Sequence, residues 1–311
     1  KGLAMAEYTL KYINHRAECD AEAFVNDCEE HYHRQIHMAA DEIVRNREHC
    51  PIVLINGPSS SGKTTTNDRI ARIVELAGVH ANMLSMDDYY RTAADYEQPM
   101  DDENGVPDLE SPECMDLARL SDDLARLVAG EEVSVPRFDF ETRTSIPYDR
   151  TVKLGQNEVI MIEGIHSFNP VIMGDLANRA TSIYLSVASA LVPPKGARLE
   201  PYMLRFLRRA MRDSLFRSSP VEATLRQWNS VRRGERLYIS PYRGQANLTI
   251  DTFLPYEVNI LMPRLTSVLR EHRDALEHAG LAPINDILGT ITPIEWQGRI
   301  PGDSVLHEFI G

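Results

Sequence analysis

Apolar positions along the chain follow two alternating rhythms. Short β-branched runs at Ile52 to Ile55, Ala81 to Met86, Val159 to Ile162, Ile183 to Val187 and Leu248 to Ile250 read as strands. Between them, Thr64 to Ala77, Met115 to Val128 and Met203 to Leu215 carry apolar residues at three- and four-residue spacing and read as helices. This alternation predicts an α/β fold, with a mainly parallel sheet of about five strands and helices on both faces. Glu131 to Gly155 departs from it: Val133 to Val135 and Thr151 to Leu154 flank a loop holding Pro136 and Pro147, which predicts a β-ribbon insertion. Asp20 to Asn46 reads as helix. After Ala282 the prolines 283, 293 and 301 interrupt any period, so Trp296 and the stretch from Ile300 to Gly311 are expected to dock on the core. Residues 1–50 then form a helical lead-in, read as the end of an upstream region. Residues 51–262 form the main domain, with the ribbon at 131–155 and a lid at 198–220, and 263–311 form a helix and docking tail.

Between the first strand and the first following helix stands Gly57-Pro58-Ser59-Ser60-Ser61-Gly62-Lys63-Thr64. Glycines at both ends let the backbone turn tightly enough for successive N–H groups to face one phosphate, and the helix beginning near Lys63 adds its positive end. Lys63 reaches the outer phosphates and the Thr64 hydroxyl is placed for Mg2+. Gly57, Ser59, Ser60, Ser61, Gly62, Lys63, Thr64 and the adjoining Thr65 are therefore the candidate nucleotide contacts, and the fold expected is of the P-loop NTPase type.

The 311 residues include 33 Lys and Arg against 46 Asp and Glu, a formal charge of −13. That balance argues against binding duplex nucleic acid and requires any anion site to concentrate its cations locally. One stretch does so: Arg205, Arg208, Arg209 and Arg212 fall at i, i+3, i+4 and i+7, predicting four cations on one helical face, with Arg217 shortly after. A transferring phosphate is the expected counter-charge, with Arg209 among its contacts. No run of 18 apolar residues occurs and Lys1 to Leu10 contains no continuous apolar stretch, so neither a membrane span nor an export signal is expected. Four irregularly spaced cysteines fit a reducing cytoplasm. His31, His33 and His37 near Cys28 read as helix-surface histidines, since nothing completes a zinc signature.

Two carboxylates follow strands where a parallel sheet places its chemistry, Asp87 after Ala81 to Met86 and Glu163 after Val159 to Ile162. Either can hold Mg2+, orient its waters or accept a proton from an attacking hydroxyl. Together the phosphate loop, Leu84 to Tyr90, Val135 to Phe140 and Ile162-Glu163-Gly164-Ile165-His166 resemble the uridine kinase and phosphoribulokinase family. The resemblance is greatest to its bacterial nucleoside kinase branch, often fused behind a threonyl-tRNA-synthetase-like region. Asp102 to Gly105, Asp108 to Ser111, Trp228 to Glu235 and Glu308 to Gly311 extend it across about residues 40 to 311.

What the resemblance implies is an ATP- and Mg2+-dependent kinase phosphorylating a hydroxyl of a small acceptor. Asp87 would be the base, Glu163 with Thr64 and Asp87 would organise Mg2+, and Arg212 and Arg217 would belong to the lid. Tyr90, Glu110, Phe138, Phe140 and His166 would line the acceptor pocket. The chain departs from uridine kinases proper at two acceptor-reading positions, with Arg143 where they place a His and Ser219 where they place a second lid arginine. Arg143 with Arg137 then suits an anionic or polyhydroxy acceptor. A uridine- or cytidine-like nucleoside leads; a sugar, sugar phosphate or cyclitol is the alternative, and a nucleotide-binding regulatory or RNA-associated module is the rival of another class. Homo-oligomerisation is left open.

Overall fold

The computed structural model describes residues 6–176 and 179–311. Its centre is a five-stranded sheet in the order Leu248–Asp251, Ala180–Ser186, Ile52–Asn56, Glu158–Glu163, His80–Ser85, every pair parallel. The middle strand is buried along its whole length, as a sheet covered on both faces requires. Successive side chains point to opposite faces. Val53 and Ile55 therefore enter the core packed by the helices Ala21–Asn46, Lys63–Leu76, Pro201–Phe216 and Val258–Glu271. Ile52 and Leu54 enter a second core under the helix Leu117–Val128 and the ribbon.

The strands match the predicted runs in number and order. The largest difference is the fourth, which begins at Ala180 rather than Ile183 because Thr181 and Ser182 are buried in the ladder despite their hydroxyls. The ribbon pairs Glu132–Asp139 with Thr144–Lys153, so both of its strands are longer than the apolar positions alone predict. Pro136 and Pro147, expected in a loop, lie within them. A two-stranded ribbon leaves each strand one unpaired edge, and the register slips between Val135 and Arg137, where proline has no N–H to give the ladder.

The structure draws no seam at residues 50 or 262. The strand Glu7–Thr9 pairs with Ala190–Val192, and the helix Val258–Glu271 runs through the expected boundary. Residues 300–310 bury Ile300, Val305, Leu306, Phe309 and Ile310 in the first core, with Trp296 packed against it. No helix among the described residues is long and apolar enough to cross a membrane.

Strand register sets the site. Ser85 stands opposite Glu163, and Glu163 opposite Ile55, so three strands end at one level. The phosphate loop, the turn carrying Asp87, and Glu163 consequently meet at one edge of the sheet.

Candidate active site

The phosphate loop is shaped by what surrounds its glycines. A side chain on Gly57 would lie 2.1 Å from the Leu185 carbonyl oxygen, and one on Gly62 would lie 2.5 Å from Val305 Cγ2. Gly62 also adopts φ +80, the left-handed region, and caps the helix Lys63–Leu76 without a side-chain hydrogen bond. The Lys63 and Thr64 N–H groups of the first turn are thus left for an anion. Buried Ser60 and Ser61 hydroxyls have no partner among the described residues, and the Lys63 ammonium donates to the Pro58 carbonyl at 3.2 Å. Orphaned hydroxyls in a cradle that any Cβ would fill fit a phosphate chain.

Beside this cradle lies a cleft of about 820 Å³. Ser59, Ser60, Lys63, Thr64, Asp87, Glu163, Arg209, Arg212 and Arg217 line its phosphate side, and Tyr90, Glu110, Phe138, Phe140 and Arg143 its other side. Gly57, Ser61 and Gly62 form the turn behind it. Asp87 sits in the 3-10 turn Met86–Tyr89, where its amide donates to Ser85 Oγ at 3.3 Å. Ser85 Oγ donates in turn to Glu163 Oε1 at 3.1 Å. Burial raises Asp87 above the ordinary carboxylate range while Lys63, Arg217 and Arg212 pull it back. Burial, and then the Asp87 charge, push Glu163 up to about 7. Two crowded carboxylates and the Thr64 hydroxyl are hard oxygen donors, a set suited to Mg2+ completed by phosphate oxygens.

The arginine stripe divides. Arg208 is fully buried, bidentate to Glu257 at 2.9 and 2.6 Å and donating to Thr252, while Arg205 bonds Glu235 and the Ser59 carbonyl. The expectation that all four face a phosphate is therefore corrected. Glu257, buried, and Glu235, half-buried, take these arginines as counter-ions, and removing one partner of the buried Arg208–Glu257 pair costs about 3–5 kcal/mol. The other cations remain at the cleft. Arg209 donates to Ser59 Oγ at 2.8 Å, and Arg209, Arg212 and Arg217 reach one carboxylate, Asp213, at 3.3, 3.0 and 3.7 Å. Three cations sharing one anion leave an excess of positive charge facing the phosphate loop.

On the acceptor side, Tyr90, Phe138 and Phe140 form a three-ring cluster with centroids 5.0 to 6.2 Å apart. Glu110 Oε2 is buried without a partner among the described residues, and burial raises this carboxyl against the opposing pull of Arg209 and Lys63. His166 is corrected: it is 1% exposed and does not line the cleft. The chain turns under the acceptor loop through Gly164, where a Cβ would strike Met86, and His166 Nε2 meets the Glu110 carbonyl at 2.9 Å. Arg137 is corrected too, since it pairs outside the cleft with Asp149 at 2.9 Å. Arg143 has no ion pair among the described residues, and Arg91, which lines the cleft beside it, stacks over Tyr96 at 4.5 Å.

The residue that sequence reasoning placed elsewhere is Glu308. Expected only to dock, it lines the cleft and accepts hydrogen bonds from Thr65 Oγ1 at 3.0 Å and the Thr65 amide at 3.4 Å. Its signal was the closing Glu308 to Gly311 motif, whose acid no periodicity singles out. Tyr96, Gln98, Cys114 and Gln227 also line the cleft and carried no signal.

Residues 52–193 match the model of the phosphoribulokinase / uridine kinase family. Uridine kinases of Borrelia duttonii and Staphylococcus aureus are 27% and 28% identical over 200 residues, 64% of this chain and 85% and 86% of theirs. A solved structure from Bacillus stearothermophilus, described as a possible uridine kinase, is 18% identical, covers 69% of this chain and 98% of its own, and superposes with a TM-score of 0.43. With these similarities and the phosphate loop, the chain is a P-loop kinase, an ATP-dependent phosphotransferase acting on a hydroxyl group.

Proposed function

We propose that this kinase transfers the γ-phosphate of ATP to a hydroxyl of a uridine- or cytidine-like nucleoside. The observation that carries this reading is the pairing of the three-ring cluster with the orphaned Glu110 carboxylate on one wall of the cleft. Flat rings suit a base, and a carboxylate without donors suits sugar hydroxyls. The curated uridine kinase relatives support it. Four irregularly spaced cysteines in 311 residues are in keeping with a reducing compartment such as the cytoplasm.

In this mechanism the loop amides and Lys63 hold the phosphates, and Thr64, Glu163 and Asp87 would hold Mg2+. Held there, Mg2+ would supply positive charge against the phosphates. Asp87, held by Ser85, accepts the proton of the acceptor hydroxyl. Arg209, Arg212 and Arg217 neutralise charge that spreads over the phosphoryl oxygens, and positioning supplies most of the acceleration.

Arg91 and Arg143, without carboxylate partners at the cleft, favour one alternative, an anionic polyol such as a sugar phosphate. ADP release measured with uridine, cytidine, sugars, sugar phosphates and inositols decides. Stimulation by nucleosides supports the proposal; stimulation by sugar phosphates alone overturns it in favour of the alternative. Silence throughout, with RNA altering ATP affinity, leaves a regulatory module.

A further inference from the structure

Glu110 is held on three sides by residues that never touch the cleft. Its amide donates to Asp108 Oδ1 at 3.2 Å. Asp108 Oδ2 in turn accepts from Arg233 Nη1 at 3.0 Å and the Tyr238 hydroxyl at 2.9 Å. Arg233 also lies 3.5 Å from Asp101 and 3.7 Å from Glu103, earlier in the same loop. The Glu110 carbonyl meets His166 Nε2 at 2.9 Å, and because a carbonyl only accepts, that nitrogen carries the proton. Burial lowers His166 to about 4, so the ring is neutral and the tautomer is fixed by this bond.

The third side is Gly234, the last residue of the helix Val221–Gly234. Its φ of −57 is ordinary helical backbone that any residue adopts. Glycine inside a helix is destabilising relative to alanine, so flexibility does not explain it. Space does: a Cβ here would lie 2.4 Å from Glu110 Cβ and 2.9 Å from its Cγ. Those atoms sit next to the backbone, so a substituted side chain moves the loop rather than a mobile tip.

Resting on the reading that Glu110 faces the acceptor, we propose that Gly234, Arg233 and His166 are positioning residues which set the Glu110 carboxylate and so determine which acceptor hydroxyl is presented to Asp87. Amide and carbonyl of Glu110 are both tied, and its carboxylate, with no hydrogen-bond partner among the described residues, is left for a ligand. His166 lies three residues after Glu163, so the same strand end that carries the metal-side carboxylate also fixes the acceptor-side one. The two halves of the cleft are thereby held in one spacing.

Gly234→Ala is expected to raise KM for the best acceptor of the panel about tenfold or more, as small misplacements do. ADP affinity by calorimetry should stay within about twofold, because no phosphate contact moves. His166→Phe should do the same, and His166→Gln, whose amide N–H can reach the carbonyl, should recover most of the loss. Equal KM for all three variants and the wild type overturns the proposal. So does a loss in His166→Phe that His166→Gln does not recover. Amide hydrogen exchange across residues 106–111 needs no acceptor: faster exchange in His166→Phe supports the clamp, and unchanged exchange overturns it. Failure of the wild type to phosphorylate any acceptor would overturn the nucleoside reading instead, and the exchange result would stand apart from it.

Discussion

Ser85 and Glu163 face each other across neighbouring strands, and the Ser85 hydroxyl that donates to Glu163 Oε1 at 3.1 Å also accepts the Asp87 amide at 3.3 Å. One hydroxyl therefore spaces the two carboxylates on which phosphoryl transfer is proposed to depend. Ser85→Ala frees both and is expected to lower kcat more than it changes ADP affinity.

Asp87→Asn preserves shape and removes the base. ADP binding by calorimetry should persist while kcat falls by about 10² to 10⁴. Turnover equal to that of the wild type would exclude Asp87 as the proton acceptor.

Glu163 gives a pH signature with a definite sign. Its carboxyl titrates near 7 in the empty site, above the usual unfolded value of about 4.5. The folded state then binds the proton more tightly, so ionisation withdraws stability as pH rises from about 4.5 to 7. In the absence of ligand, Glu163→Gln should melt with the wild type near pH 4.5 and a few degrees above it at pH 8. The same substitution should weaken Mg2+-dependent nucleotide binding. A variant less stable than wild type at pH 8 would contradict the burial of an ionised carboxylate there.

Arg212 and Arg217 share Asp213 with Arg209 and are proposed to meet developing phosphoryl charge. Arg212→Ala is expected to reduce kcat at least about 10²-fold with KM for ATP changed far less. A proportional rise in KM at constant kcat would assign Arg212 to ground-state binding.

Glu308 presents an anion to the Thr65 amide, one of the groups a phosphate would use. Glu308→Gln keeps the acceptor oxygen and removes the charge, so affinity for metal-free ADP should rise about three- to tenfold, an effect that salt reduces. Weaker binding would show instead that this carboxylate helps hold a cation.

The sheet and the phosphate side of the site were legible because they are written locally. A β-branched run, a glycine-bounded loop and a carboxylate after a strand each announce themselves within ten residues. Arg205 and Arg208 misled because helical spacing reports which face a residue shares and is blind to the acids, Glu235 and Glu257, waiting on other elements. His166 misled for a related reason: its motif adjoins the site, but the turn through Gly164 carries the ring beneath the acceptor loop. Glu308 and Gly234 were illegible as site residues because their partners lie far away in the chain, 243 positions for Glu308 and Thr65, and only the folded chain brings them together.

Val305 against Gly62, Glu308 on Thr65 and Phe309 over the Arg208 guanidinium together form the far side of the phosphate loop. During synthesis the lysine-bearing loop leaves the ribosome long before these residues exist. A nascent polypeptide that already contains the whole family-matched segment therefore still lacks the far wall of its lysine's seat.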